Sequence, residues 1–327
     1  MSQAASLESK PKRVLLLGAT GTIGQAVAKA LHARGHNLVC FVRPEANAEI
    51  ITRLEKISTV RTGSVLKKES LAEQGFCNEP FDAVMSCLAS RTGVAKEAWA
   101  IDHQAHLDAL GLATRSGVTQ FVLLSAICVQ RPKLAFQHAK LAFEKELIAS
   151  GLTYSIVRPT AFFKSLSGQV ERVKAGKPYM MFGDGELTAC KPISDDDLAT
   201  YLADCLDRDE LKNQILPIGG PGPAITPKQQ GEFLFSLLGQ PARLQKVPPT
   251  MLKWIARILS VLSRLYPPLA ERAEYARIGH YYATESMLLL DQNTGEYRED
   301  LTPSTGQTTL FDHYRKLVAN ELDSPSP

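Results

Sequence analysis

Cysteine is scarce in this chain and never clustered. Its six cysteines, at 40, 77, 87, 128, 190 and 205, form no C-x-x-C pair. That excludes a disulfide framework, a zinc ribbon and a local iron–sulfur motif, and suits a reducing compartment. Long apolar runs are missing too: no stretch reaches the roughly 18 uninterrupted apolar residues of a spanning helix. The opening MSQAASLESK lacks the apolar core of a secretory signal and reads as a disordered lead-in. Charge of one sign is likewise lacking. Thirty-seven basic against 34 acidic residues leave +3, too little to argue for a nucleic-acid partner. The 327 residues, 44% apolar and 22% charged, suit a cytoplasmic, globular α/β protein of one large unit or two modest ones.

What is present is alternation. Arg13–Leu17 is an apolar strand followed at once by Gly18-Ala-Thr-Gly-Thr-Ile-Gly24, an amphipathic helix from Ile23 to His32, and a second strand over Asn37–Val42. Strands follow at Ser58–Thr62, Phe81–Cys87, Gln120–Leu124 and Tyr154–Val157, with helices over Trp99–Ser116 and Ala139–Ala149. This order predicts a doubly wound parallel sheet of the Rossmann kind. Beyond Pro159 the regularity loosens. Ser194 caps the acidic start Asp195-Asp196-Asp197, and Thr226-Pro227 opens a helix closed near Gly239. We expect residues 11–165 to form the nucleotide-binding domain, with 194–220 returning to it. Residues 166–193 and 221–327 would then form a smaller substrate-side region.

The glycine loop has a mechanical reading. Gly18 permits the tight turn, Gly21 lets backbone approach a pyrophosphate, and Gly24 packs the helix on the strand, with Thr20, Thr22 and Ile23 completing the cradle. Arg43 stands where NAD-selective folds of this type place an acid, and a guanidinium there suits a 2′-phosphate, hence NADPH. Further cofactor contacts are expected beyond the strand ends, at Ser64, Cys87, Leu88, Ser125 and Pro159. Cys87 as a nucleophile is unattractive, because nothing nearby in sequence would lower its pKa.

One more absence bears on chemistry. Short-chain reductases carry Tyr-x-x-x-Lys on the helix after the fifth strand, and this chain has Phe136-Gln-His-Ala-Lys140. The lysine is there and the phenol is not, which argues against ordinary carbonyl reduction. Lys140 is left as catalytic candidate: a cofactor-orienting cation, a proton donor, or both. The competing reading is a plain surface ion pair with Glu144.

Several longer strings now carry a resemblance. They are Ser86-Cys-Leu-Ala-Ser-Arg-Thr-Gly93, Trp99-Ala-Ile-Asp102, Phe121-Val-Leu-Leu-Ser-Ala-Ile-Cys-Val-Gln130, Tyr154-Ser-Ile-Val-Arg-Pro-Thr-Ala-Phe-Phe-Lys164, Gly183-Asp-Gly-Glu-Leu187 and His280-Tyr-Tyr-Ala-Thr-Glu-Ser-Met287. With them the chain resembles the NADPH-dependent divinyl chlorophyllide 8-vinyl reductases, atypical short-chain dehydrogenase/reductases of (bacterio)chlorophyll biosynthesis. The resemblance implies reduction of a C8 vinyl group to ethyl on a magnesium tetrapyrrole. That fits the missing phenol: the anion left by hydride addition is delocalised into the macrocycle, so no carbonyl oxygen needs an acid. A proton must still reach the inner vinyl carbon, from Lys140 or a water it positions, with Tyr154, Tyr281 and Tyr282 as alternatives.

For so flat and apolar a substrate, Phe162, Phe163, Tyr179, Met181 and neighbouring Met180 and Phe182 could wall a slot, although such clusters are more often core. Lys164 or Lys177 could meet its carboxylate, and His280 could ligate the magnesium. No metal site of the protein's own is expected. The segment 251–265, with Trp254 and Ile258 against Lys253, Arg257 and Arg264, is a basic amphipathic helix suited to peripheral contact with a photosynthetic membrane, or to covering the cleft or a subunit interface. Two rivals stay open: a non-catalytic NADP-sensing regulator of the same fold, and an isoflavone- or phenylcoumaran-type reductase.

Overall fold

A computed structural model describes residues 10–266 and 268–319. The expected disordered lead-in falls on residues 1–9, outside the described residues. Seven parallel strands form the central sheet: β1 Arg13–Leu17, β2 Asn37–Val42, β3 Thr59–Thr62, β4 Ala83–Ser86, β5 Gln120–Leu124, β6 Thr153–Pro159 and β8 Gln214–Ile218. A separate strand, β7 Tyr179–Phe182, pairs in parallel with β9 Leu244–Val247. The sheet order is β3-β2-β1-β4-β5-β6-β8. The direction of winding reverses between β1 and β4, which opens a crevice beyond their carboxyl ends.

The apolar strand runs are explained by burial on both faces. Val14 and Leu16 of β1 pack with Val27, Leu31, Leu198 and Leu202 on one side. Leu15 and Leu17 pack with Phe121, Leu123, Phe143 and Leu147 on the other. Helices Thr22–Ala33 and Asp195–Asp207 lie together in the first layer. Ser194 caps the second of them, its Oγ accepting from the Asp197 N–H at 3.1 Å. A third core, built around Phe163, Tyr179, Met181, Phe235, Tyr281 and Tyr314, sits beyond the carboxyl edge of the sheet.

Two helices differ from the sequence reading. The helix carrying Lys140 begins at Ala135, four residues early, because the Gln137 side-chain oxygen accepts from the N–H groups of Leu134 (3.0 Å) and Lys133 (2.7 Å). The helix before β5 begins at Ala95 and passes through a π-helical stretch, Trp99–Ala105, before resuming as an α-helix over His106–Arg115. Such a widening rotates the side chains that follow, and is often found at functional sites. It sits where Asp102 turns inward.

Candidate cofactor cradle and active site

The glycine loop is shaped by steric need. Gly18 has φ +80°, and a Cβ there would stand 2.6 Å from the Cys87 carbonyl carbon. A Cβ on Gly24 would overlap the Gly18 carbonyl oxygen. Loop, helix and the β4 exit are therefore in backbone contact. Gly21 is different: its Cβ would meet only the Gly18 oxygen, at 3.5 Å, and the residue faces solvent with Thr22. Helix Thr22–Ala33 starts at Gly21 without a side-chain cap, so its first-turn N–H groups are left for a ligand. Thr20 accepts from the Gln25 amide at 3.2 Å, while the Ile23 side chain is part of the core. The residues present fit a dinucleotide pyrophosphate.

Along the same rim, the Gly63 N–H donates to the Val42 carbonyl at 2.9 Å, which brings Ser64 beside the end of β2. Arg43 at that end is exposed, and no carboxylate among the described residues pairs with it. Cys87 and Leu88 lie against Gly18, with burial pushing the Cys87 thiol up to about 12, consistent with an inert, space-filling role. Ser125 is buried and donates to Glu144 Oε1 at 2.5 Å. Pro159 ends β6 in the wall of an adjoining cavity.

Lys140 is not a surface lysine. It is buried, and its Nζ lies 3.0 Å from Oδ1 of Asp102, itself fully buried. Asp102 also accepts from the Ser90 hydroxyl at 2.6 Å and the Ser90 N–H at 3.3 Å. The alternative pairing with Glu144 does not form, because Glu144 is held by Arg158 and Ser125. Behind Asp102, His106 bridges Ser86 Oγ (2.8 Å) and the Ile101 carbonyl (2.8 Å). Burial, helped by the Lys140 charge, lowers its pKa to about 4, so the ring is neutral at pH 7. The imidazole thus props the π-helical stretch that carries the lysine's counter-ion.

Beyond β5 and β6 opens a cavity of about 410 Å³, mostly apolar, lined among others by Ile127, Cys128, Phe162, Met287 and Tyr282. Of the expected substrate wall it contains Phe162. Phe163 lines a different cavity with Lys164 and His313, its ring 5.2 Å from the His313 ring. Tyr179 and Met181 are core residues, the Tyr179 hydroxyl facing Gln230 at 3.3 Å. His280 lies in a groove between helices Pro249–Leu262 and Leu269–Thr284, with Lys253, Arg257 and Arg277. The substrate site the sequence suggested is thus divided among four places. Alternation in Tyr179–Phe182 turns 179 and 181 inward together, and local sequence does not say that this side is core.

The comparisons with known proteins bear on this geometry. A family model described as NAD(P)H-binding matches residues 18–209, the cradle and most of the sheet. Across the whole chain the similarity is to proteins named divinyl chlorophyllide a 8-vinyl-reductase, chloroplastic. The protein from Cucumis sativus is 48% identical over 96% of this chain and 78% of its own length. The one from Arabidopsis thaliana is 48% identical over 94% and 77%. The chain belongs to this 8-vinyl reductase family. In shape it matches an NADPH-dependent quinone oxidoreductase from Escherichia coli, solved with NADPH, at a TM-score of 0.68 over 93% of this chain and 99% of that one. At 17% identity that likeness shows the fold alone.

For this 8-vinyl reductase family member, the sequence reading left Asp102 and His106 without a role in the site, and held Ser90 only within the candidate segment 87–91 after the fourth strand. Nothing local marked Asp102, which stands among other polar residues, with His103 and Gln104 directly after it and Lys96 and Glu97 shortly before. The pairing spans 38 positions, from Asp102 to Lys140, so no local pattern displays it.

Proposed function

We propose that this protein uses NADPH to reduce the C8 vinyl group of a divinyl chlorophyllide to ethyl. The observation that carries the reading is a dinucleotide cradle opening beside an apolar cavity, in a chain nearly half identical to named 8-vinyl reductases along almost its entire length. Bound NADPH supplies the hydride. The first-turn N–H groups after Gly21 hold its pyrophosphate, Arg43 takes the 2′-phosphate, and Lys140, held by Asp102, orients its nicotinamide ribose. Because Lys140 is turned to Asp102 and does not line the cavity, this orienting role is the half of its expected chemistry that the geometry favours.

A cavity of about 410 Å³ takes the vinyl-bearing edge of a macrocycle, with the remainder lying over its mouth. Purified protein incubated with NADPH and divinyl chlorophyllide is expected to yield the monovinyl pigment, seen as a blue shift of the Soret band and a new chromatographic peak. No shift and no ethyl product would leave a cofactor-binding regulator as the better reading.

The same function suits a foothold on lipid. Helix Pro249–Leu262 packs inward through Ala256 and through Leu252, which lies against Gly279. Outward it shows Trp254 (60% exposed), Ile258, Val261 and, just beyond, Leu265 (87% exposed). Lys253, Arg257 and Arg264 flank that stripe, and the Arg257 guanidinium lies over the Trp254 ring. No helix among the described residues is long and apolar enough to cross a membrane. An apolar face rimmed by cations suits the surface of an anionic bilayer. The protein is expected to pellet with anionic liposomes at low salt, and Trp254→Ser to lose most of that binding. Equal pelleting with neutral liposomes, or none at all, would sink the membrane assignment.

A further inference from the structure

We infer that Tyr282 is the residue that protonates the inner vinyl carbon, replacing from a distant helix the phenol absent at Phe136. This rests on the reductase activity proposed above.

Helix Leu269–Thr284 packs near Phe136, which stands at the position of the missing tyrosine. A Cβ on Gly93 would meet both Phe136, at 3.3 Å, and Ile278, at 3.0 Å, so that helix and Phe136 close on one point. Tyr282 follows Ile278 by one turn on the same helix face, and its ring lines the apolar cavity.

The other tyrosines named for this role are committed elsewhere. Tyr281 is buried, its hydroxyl 2.9 Å from the Cys128 carbonyl and 3.1 Å from that of Arg131. Tyr154 lies near the start of β6, at the end of the sheet away from the glycine loop. Among the described residues the Tyr282 hydroxyl donates only to the Cys128 sulfur, at 3.9 Å, a weak partner that leaves the O–H free to turn to a ligand. Burial holds this phenol well above its ordinary pKa, so it stays protonated at neutral pH. Burial also raises the Cys128 thiol, which keeps it from acting as a thiolate.

The step balances. The terminal vinyl carbon takes the hydride from NADPH, forming one C–H bond. The π pair of the vinyl bond moves to the inner carbon, where the macrocycle delocalises it. The Tyr282 O–H bond breaks, its proton forms the second C–H bond, and the ethyl group results. The phenolate regains a proton from water once the product has left the cavity that Tyr282 lines.

The test compares the full-length wild type with Tyr282→Phe. The variant should lose about 100-fold in kcat, keep KM for NADPH within about twofold, and bind divinyl chlorophyllide as tightly as wild type by quenching of pigment fluorescence. An unchanged kcat would overturn the assignment. So would weakened pigment binding with full turnover at saturation, which would make Tyr282 only a wall. Loss of turnover in Cys128→Ala, with Tyr282→Phe still active, would give the proton to the thiol instead. A wild type that makes no ethyl product would defeat the reductase reading itself, whereas active wild type with equally active Tyr282→Phe defeats only the tyrosine.

Discussion

Lys140→Ala is expected to lower stability by about 3–5 kcal/mol, because it leaves the buried Asp102 carboxylate without its counter-charge. The Ser90 hydroxyl and N–H remain on Asp102, but two neutral donors do not neutralise a buried anion. Removing both charges by Lys140→Met with Asp102→Leu should restore most of the stability, since a well-packed apolar pair replaces a buried ion pair at little cost. Function should not follow stability. In both proteins KM for NADPH is expected to rise about tenfold or more, while kcat at saturating NADPH changes far less. Urea melts with steady-state kinetics read both quantities. A single variant as stable as wild type would show that the pair is solvated, and a collapse of kcat with KM unchanged would return the proton-donor role to Lys140.

The second large effect is acid sensitivity centred on His106. Its folded-state pKa, lowered to about 4 by burial first and by the Lys140 charge second, is opposed by Asp102 and the Ile101 carbonyl. The unfolded chain binds this proton near pH 6.5 and the folded chain does not. Stability from the neutral ring is therefore complete above about pH 6.5 and declines as pH falls toward 4. One proton gives roughly 1.4 kcal/mol per pH unit, or about 2 kcal/mol between pH 6.5 and 5. His36 and His313 are shifted the same way by burial, so the measurement is the difference between wild type and His106→Asn. Urea midpoints between pH 7.5 and pH 5, about two and a half units apart, should fall more steeply for wild type. Parallel profiles would show that His106 is protonated in the fold.

These effects concern residues that sit together only in space. The glycine loop was readable in sequence because its three glycines, the preceding strand and the following helix are contiguous. Backbone overlap at Gly18 and Gly24 is the physical content of that pattern. Arg43 was singled out for a similar reason, standing just past the second strand of a short strand-helix-strand unit. The substrate wall was not. Phe162 and Phe163 are adjacent, yet one faces the cavity beyond β6 and the other the cleft holding His313. Hydrophobicity marks both for burial and is silent on the direction.

By itself the sequence determined the parallel sheet, the dinucleotide cradle and the family, because strand runs, turn glycines and long shared strings are all local. Only the tertiary structure decided that Lys140 is buried on Asp102, that Glu144 belongs to Arg158, and that Tyr282 lines the cavity beyond β5 and β6. Those pairings join elements distant along the chain, and the partner of a buried charge or phenol is set by packing, which local periodicity does not encode. The scarcity of cysteine excluded clustered metal chemistry from the start. What took a folded chain to show is that one of those scattered cysteines, Cys128, lines the cavity beside the tyrosine to which the proton transfer is assigned.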